Sequence, residues 1–179
     1  MKITQIKSKL LSKDIISQIC EFKMQFWNKN FNSQLSFFKK TFNSQDIHFI
    51  IFNKKKIIGY NLLKTKELIL KKKIKRKDFI YKKNFYLFDS FLVNKKFRNQ
   101  KIGSSLIKVN NEFIKKKKKF AILICKKKLI KFYKKYKWCL LCKNSNIKIV
   151  NYKLTKNLMC FNLSKKLYNT KSNSIELHF

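Results

Sequence analysis

The sequence predicts a single α/β (α+β) domain in which an antiparallel N-terminal part runs into one βαβ crossover. Three observations predict it. The chain has 179 residues, a length that suits one compact domain with its own core. Hydrophobic residues make up 45% and aromatics 15%, too many for a disordered chain even at a formal charge of +37. The apolar runs also alternate between strand length and helical spacing, with no internal repeat.

The elements follow in order. Lys2 to Lys7 alternates weakly and predicts a first strand. Ser12 is placed to cap a helix from Asp14 to about Asn28, with Ile15, Ile19, Phe22 and Phe26 as its apolar stripe. A second short helix is expected around Leu35 to Phe42. His48 to Phe52 is an apolar run of strand length; a polar turn at Asn53 to Lys56 leads into Ile57 to Leu63, which completes a hairpin or meander. Lys71 to Lys77 is expected as a charged loop, because like charges repel.

Asn84 to Val93 reads as a strand, with Phe85, Leu87, Asp89, Phe91 and Val93 on one face. Its other face, Tyr86, Phe88, Ser90 and Leu92, is also largely apolar, which predicts a central position. Ile102 to about Lys117 is an amphipathic helix on Ile102, Leu106, Val109 and Phe113. Phe120 to Cys125 is a buried strand, and Lys128 to Lys137 a short helix with Leu129, Phe132 or Tyr133, and Tyr136 on one side. Strands near Ile147 to Leu154 and Leu158 to Leu163 close a domain of residues 1–164, and residues 165–179 read as a polar tail.

The charge admits two readings. One is a broad positive field that attracts nucleic acid, through non-specific charge only, or an anionic membrane. The other is mutational: Lys, Asn, Ile and Phe dominate, while Pro is absent, Gly and Arg occur twice each and Ala once, as in an AT-rich genome that drifts neutral surface positions toward Lys. Lysine occurs throughout, with no discrete basic tail, and no helix-turn-helix, zinc-finger or RNP signature appears. The five cysteines (Cys20, Cys125, Cys139, Cys142, Cys160) are odd in number and suggest reduced, partly buried thiols. Cys139 and Cys142 form a lone CxxC, and His48 and His178 lie in no motif, so no metal site is expected. No apolar run reaches membrane-spanning length, and a cytoplasmic protein, monomer or homodimer, is the expectation.

The informative junction runs from Val93 to Ile107. A strand ends, a short basic loop turns, and a helix begins near Gly103. Helix N-termini present unpaired N–H groups and the positive end of the dipole. Arg98, Lys101 and the hydroxyls of Ser104 and Ser105 add charge and donors at the same place, which suits a diphosphate; an ordinary βα loop with capping serines is the plainer reading. The stretch resembles motif A of the GNAT superfamily, Arg/Gln-x-x-Gly-x-Gly/Ala, which cradles the pyrophosphate of coenzyme A. Arg98 and Gly103 match, and Lys101 replaces the first glycine. Gly59 falls where the family often has an Ile/Val-Gly pair. Phe120 to Trp138 resembles motif B: Phe132-Tyr133 and Trp138 match, and Lys137 replaces the usual glycine. The spacing of Cys125, Leu129, Phe132 and Tyr133 is also similar to the aminoglycoside 2′-N-acetyltransferase and nodulation-acyltransferase branch.

This resemblance implies a central, mostly antiparallel sheet of six to seven strands flanked by about four helices, with the strands 85–93 and 120–125 splayed apart. It implies an N-acetyltransferase in which a primary amine attacks acetyl-CoA directly through a tetrahedral intermediate. Phe91, Leu92 and Val93 would line pantetheine, the Val93 N–H would polarise the thioester, and Arg98, Asn99, Gln100, Lys101, Ile102, Gly103 and Ser104 would hold the pyrophosphate. Tyr133 sits at the family's general acid, or is a core aromatic. Asp89 is the candidate base, its pKa expected to rise on burial, or else a carboxylate paired with a lysine or N–H; Glu67 and a water relay are the alternatives. The acceptor, a small-molecule or peptide amine, stays open. So do a basic nucleic-acid- or ribosome-binding module and a catalytically silent GNAT fold.

Overall fold

The computed structural model describes residues 2–74, 77–141, 147–150, 157–164 and 173–178. Its strands are β1 (Ile3–Lys7), β2 (Ile47–Asn53), β3 (Lys56–Ile74), β4 (Lys77–Val93), β5 (Ala121–Cys125), β6 (Cys139–Leu140), β7 (Ile147–Val150), β8 (Asn157–Phe161) and β9 (Asn173–His178). Its helices are α1 (Lys13–Met24), α2 (Phe31–Lys40), α3 (Ile102–Lys116) and α4 (Ile130–Lys135). The sheet is mixed and mostly antiparallel, with parallel β4–β5 and β7–β9 pairings. None of the described helices is long and apolar enough to cross a membrane.

The chain forms two compact units: Met1–Lys64 with Asp89–Asn110, and Thr65–Phe88 with Asn111–Phe179. The strands β3 and β4 and the helix α3 contribute to both. In the first unit, β1, β2 and β3 form an antiparallel ladder, and the Asn94 N–H at the end of β4 donates to the Ile58 carbonyl on β3 at 2.9 Å. Helix α1 starts where expected because Ser12 Oγ accepts the Ile15 N–H, and it ends at Met24, short of Asn28. Helix α2 begins earlier than its apolar residues suggest, because Asn30 Oδ1 caps the Ser33 N–H at 2.9 Å. One face of the ladder packs Tyr60, Leu62 and Leu92 against Ile19 and Phe22 of α1. On the other face Gly59 lies against Ile102 and Leu106 of α3.

In the second unit, β4 pairs parallel with β5 at Tyr86–Ala121 and Leu87–Ile122, and β8 joins β5 to β6 by antiparallel ladders. Its core holds Leu68, Phe85, Phe120, Ile122, Leu158 and Cys160, with the Phe85 and Phe120 rings stacked 5.5 Å apart. Two expectations are corrected. Lys71 to Ile74 continues β3 instead of forming a loop, because its backbone pairs with β9 at Lys71–Ser174 and Lys72–Asn173; this pairing wins over the repulsion among neighbouring lysines. Asn173–His178, read as tail, is β9, which also runs parallel to β7. Residues 151–154 of the penultimate strand expectation and Cys142 of the CxxC lie outside the described residues. Cys20, Cys125 and Cys160 are buried free thiols and Cys139 is exposed.

Candidate functional site

The first unit brings together the end of β4, the basic loop and the start of α3. After Val93, Asn94 Oδ1 accepts the Lys96 N–H at 3.0 Å and opens a single 3-10 turn, Lys95–Phe97. Arg98 is extended, and Asn99 and Lys101 take left-handed backbone, φ 64° and 59°. Such a conformation costs a non-glycine residue about 1–2 kcal/mol. It turns the chain so that α3 begins at Ile102, with Ser105 N–H donating to the Lys101 carbonyl at 2.9 Å as the first helical bond. Helix geometry then leaves the N–H groups of Ile102, Gly103 and Ser104 without acceptors inside the helix. Arg98, Asn99, Gln100 and Lys101 are all exposed, so their charges and amides are accessible to a ligand. Gly103 rests on the Phe91 ring and Val93, so the loop's two ends are packed on each other.

Asp89 stands on the same strand with partners of its own. Its Oδ1 accepts the Ser90 N–H at 2.7 Å, its Oδ2 lies 3.2 Å from Lys64 Nζ, and its carbonyl accepts from Asn61 Nδ2 at 2.7 Å. The side chain is 37% exposed. The paired-carboxylate alternative is therefore what the geometry displays, with both a lysine and an N–H as partners. Ser90 is left-handed at φ 50°. That residue breaks the pleat: Asp89 reaches Lys64, which lines one hollow with Leu62, and Leu62 packs with Leu92. Asp89 and Leu92 thus share a face, a spacing of three that a regular strand forbids. The expected face of Phe85, Leu87, Asp89, Phe91 and Val93 is corrected at Asp89: Phe91 and Val93 lie under Gly103 instead. Asn61, fully buried, keeps an Oδ1 with no hydrogen-bond partner among the described residues.

Tyr133 belongs to the second unit, on α4. It is 4% exposed, edge-on to Phe88 with ring centroids 6.1 Å apart and tilted against Trp138 at 6.0 Å. Burial raises its pKa, so the hydroxyl keeps its proton at neutral pH. Trp138 is fixed by Nε1–H donating to Asn111 Oδ1 at 3.0 Å. Glu67, also in this unit, is 45% exposed beside Lys82 at 3.5 Å.

Sequence reasoning missed a polar cluster under α1 and α2. His48 is buried with both nitrogens engaged, Nε2 to Ser8 Oγ at 2.8 Å and Nδ1 to Tyr60 Oη at 2.9 Å. Burial, with Lys23 nearby, pushes its pKa down to about 3. These residues are scattered over the chain, and no spacing rule connects them.

No family model matches the sequence, and no curated protein matches it. Solved structures match the fold. An acetyltransferase of the GNAT family from Staphylococcus aureus aligns with a TM-score of 0.58 at 17% identity, over 91% of this chain and 100% of its own. An aminoglycoside 6'-N-acetyltransferase complexed with coenzyme A aligns at 0.63 and 10% identity, over 92% and 99%. Escherichia coli ElaA aligns at 0.60 and 11%, over 89% and 97%. The chain has the GNAT fold. On the GNAT fold the two motif departures take on a physical meaning. Lys101 and Lys137, which replace glycines in the resemblance to motifs A and B, both hold left-handed backbone, at φ 59° and 65°. Lys137 closes α4, its N–H donating to the Lys134 carbonyl at 3.0 Å, while the Trp138 N–H reaches the Tyr133 carbonyl at 3.2 Å. Both lysines hold a backbone conformation that glycine adopts at no steric cost.

Proposed function

We propose that the protein is an N-acetyltransferase that moves the acetyl group of acetyl-CoA to an amine. The observation that carries this reading is the loop from Arg98 to Ser104, with Lys101 left-handed at the glycine position of motif A, on a GNAT fold.

The residues fit a coenzyme A diphosphate. The N–H groups of Ile102, Gly103 and Ser104 point out of the helix start, and Arg98 and Lys101 add two exposed charges. A methyl group on Gly103 would meet only ordinary contacts, 3.6 Å from the Phe91 ring and 3.7 Å from Val93 Cγ2. Packing does not require glycine there, so close approach of a ligand is the better reason for it.

Acetyl-CoA, when bound, supplies a thioester carbonyl open to attack. The backbone of Phe91, Leu92 and Val93 would hold the pantetheine arm, and the Val93 N–H would donate to the carbonyl oxygen as negative charge develops there. A donor of that kind contributes on the order of 10²–10³ in rate. The ammonium of the acceptor must first lose a proton, and Asp89, the carboxylate of this unit's β4, would take it directly or through water. The C–N bond then forms as the C–S bond breaks. Tyr133, whose hydroxyl keeps its proton at neutral pH, would supply a proton to the departing thiolate and would regain one from the nitrogen as the amide forms.

The test is direct. Coenzyme A at micromolar concentration should raise the thermal midpoint, and Arg98→Ala should weaken its binding about tenfold, the loss of one charge-assisted contact. Acetyl-CoA with a panel of amines should release thiol. An oligonucleotide that binds with a steep salt slope, together with no effect of coenzyme A, would overturn the reading in favour of a nucleic-acid-binding module.

A further inference from the structure

The second unit carries two thiols at facing positions. Strand β6 is the edge of the ladder β5–β8–β6, and its antiparallel register sets Cys139 against Cys160 and Leu140 against Met159. Facing residues of such a ladder put their side chains on the same side of the sheet, with Cβ atoms about 4.5–5.5 Å apart. The positions around them fit that placement. Trp138 and Phe161, one step further along the two strands, stack at 5.5 Å, and alternation puts them on the face opposite the two cysteines. Leu141 and Leu158, two steps the other way, join Cys160 in one core cluster.

Backbone spacing also suits a bond. The Leu141 N–H donates to the Leu158 carbonyl at 2.9 Å. Hydrogen-bonded pairs alternate with non-bonded ones along an antiparallel ladder, so Cys139–Cys160 is again a bonded pair, with Cα atoms about 5.5 Å apart. Disulfides span Cα separations of about 4.4–6.8 Å, but their Cβ atoms sit closer than such a pair holds them. A bond formed here is therefore strained, which makes it easy to reduce. Cys139 is exposed and Cys160 buried. Burial raises the Cys160 pKa, and the Cys139 charge beside it adds to the rise, so the two sulfurs sense each other. Among the described residues no other cysteine faces a second one. Cys125 stands opposite Asn157 and contacts the Met159 sulfur at 3.8 Å, and Cys20 lies on α1 in the first unit.

We infer that Cys139 and Cys160 form a reversible thiol–disulfide site, a clasp that pins the two-residue edge strand β6 to β8 under oxidising conditions. The oxidant is a low-molecular-weight disulfide such as glutathione disulfide. The exposed Cys139 thiolate attacks one of its sulfurs, breaking that S–S bond and releasing one glutathione thiolate. The Cys160 sulfur, giving up its proton, then attacks the Cys139 sulfur and releases the second. The two protein thiols lose two electrons to the oxidant, and their two protons end on the two glutathione thiols. Trp138 precedes Cys139 and Phe161 follows Cys160, so the bond ties together the strand ends that carry this stacked pair. None of this requires acyl transfer.

In the test, the reduced full chain is incubated with excess glutathione disulfide, free thiols are blocked with iodoacetamide in denaturant, and the chain is digested with trypsin. Mass spectrometry should find the peptide of residues 138–143 joined through one disulfide to that of residues 157–165, and an excess of reduced glutathione should part them. Cys139→Ser, a change at an exposed position, should abolish the joined peptide. Exchange of the Leu141 amide hydrogen should slow about tenfold on oxidation of the wild type and stay unchanged in Cys139→Ser. The first peptide also contains Cys142. A joined peptide that persists in Cys139→Ser, or a disulfide confined to residues 138–143, would assign the bond to Cys142 and overturn the inference. So would glutathione left on Cys139 as a mixed disulfide, no joined peptide at all, or Leu141 exchange at the same rate in both redox states.

Discussion

A methyl group added at Gly59 would lie 2.9 Å from Ile102 Cγ2 and 3.2 Å from Leu106 Cδ1, whereas one added at Gly103 would find nothing closer than the Phe91 ring at 3.6 Å. The only two glycines of the chain therefore do different things. Gly59 lets helix α3 sit down on β3. Gly103 leaves room over a helix start that packing alone does not need. Neither glycine has positive φ, while Lys101, Lys137, Asn99 and Ser90 all do. In this lysine-rich chain Gly59 stands where a side chain would collide, whereas Lys101 and Lys137 stand where glycine would only relax the backbone. Packing collisions cost about 1–3 kcal/mol and left-handed backbone about 1–2, so the first has less slack.

The contrast can be broken in four ways. The largest effect is expected beyond Gly59, on the opposite face of β3, where Tyr60 holds His48. Folding keeps that imidazole neutral down to about pH 3, while the unfolded chain protonates near its ordinary pKa of about 6.5. Its contribution is therefore complete above that ordinary value and is lost as pH falls toward 3. Denaturant unfolding should show about 2–3 kcal/mol less stability at pH 4.5 than at pH 7 from this group, and His48→Gln should flatten that slope. Equal stability at both pH values would show that the cluster does not stay neutral.

Next, Tyr133→Phe should lower kcat by about 10²-fold with little change in the unfolding midpoint. An unchanged kcat would place Tyr133 with Gly59, among the packing positions. The glycine pair follows. Gly59→Ala should cost about 1–3 kcal/mol in stability and leave the coenzyme A affinity of the folded protein intact. Gly103→Ala should do the reverse, keeping stability or adding up to about 1 kcal/mol while the coenzyme A Kd rises. Matching losses in the two variants would erase the distinction. The smallest effect is expected for Lys137→Gly, a gain of up to about 1 kcal/mol from relief of left-handed backbone, read from the denaturation midpoint.

How far the sequence reveals this protein depends on the range of each interaction. Ser12 and the stripe from Ile15 to Phe26 announce α1 because cap and core contacts lie within a few turns. The crossover from β4 through α3 to β5 was legible for the same reason. The outer half of β3 was not: Lys71 and Lys72 find their partners a hundred residues away on β9, and a polar run says nothing of where its backbone will pair. Arg98 and Gly103 could be singled out because one short loop joins them, and Tyr133 and Trp138 because they lie five residues apart around the end of α4. Lys23, Ser8 and His48 could not, since they meet only through three separate elements. The surroundings of Asp89 were hidden by Ser90, whose left-handed backbone no propensity favours.

That single residue has a genetic consequence. Ser90 is the extra member that lets Asp89 and Leu92 point the same way. Loss of the Ser90 codon would leave Asp89, Phe91, Leu92 and Val93 alternating in a regular strand with the facings they have now, whereas loss of the Phe91 codon, with the bulge kept, would send Leu92 and Val93 each to the opposite face. Of these two three-nucleotide deletions, that of Ser90 should be the better tolerated.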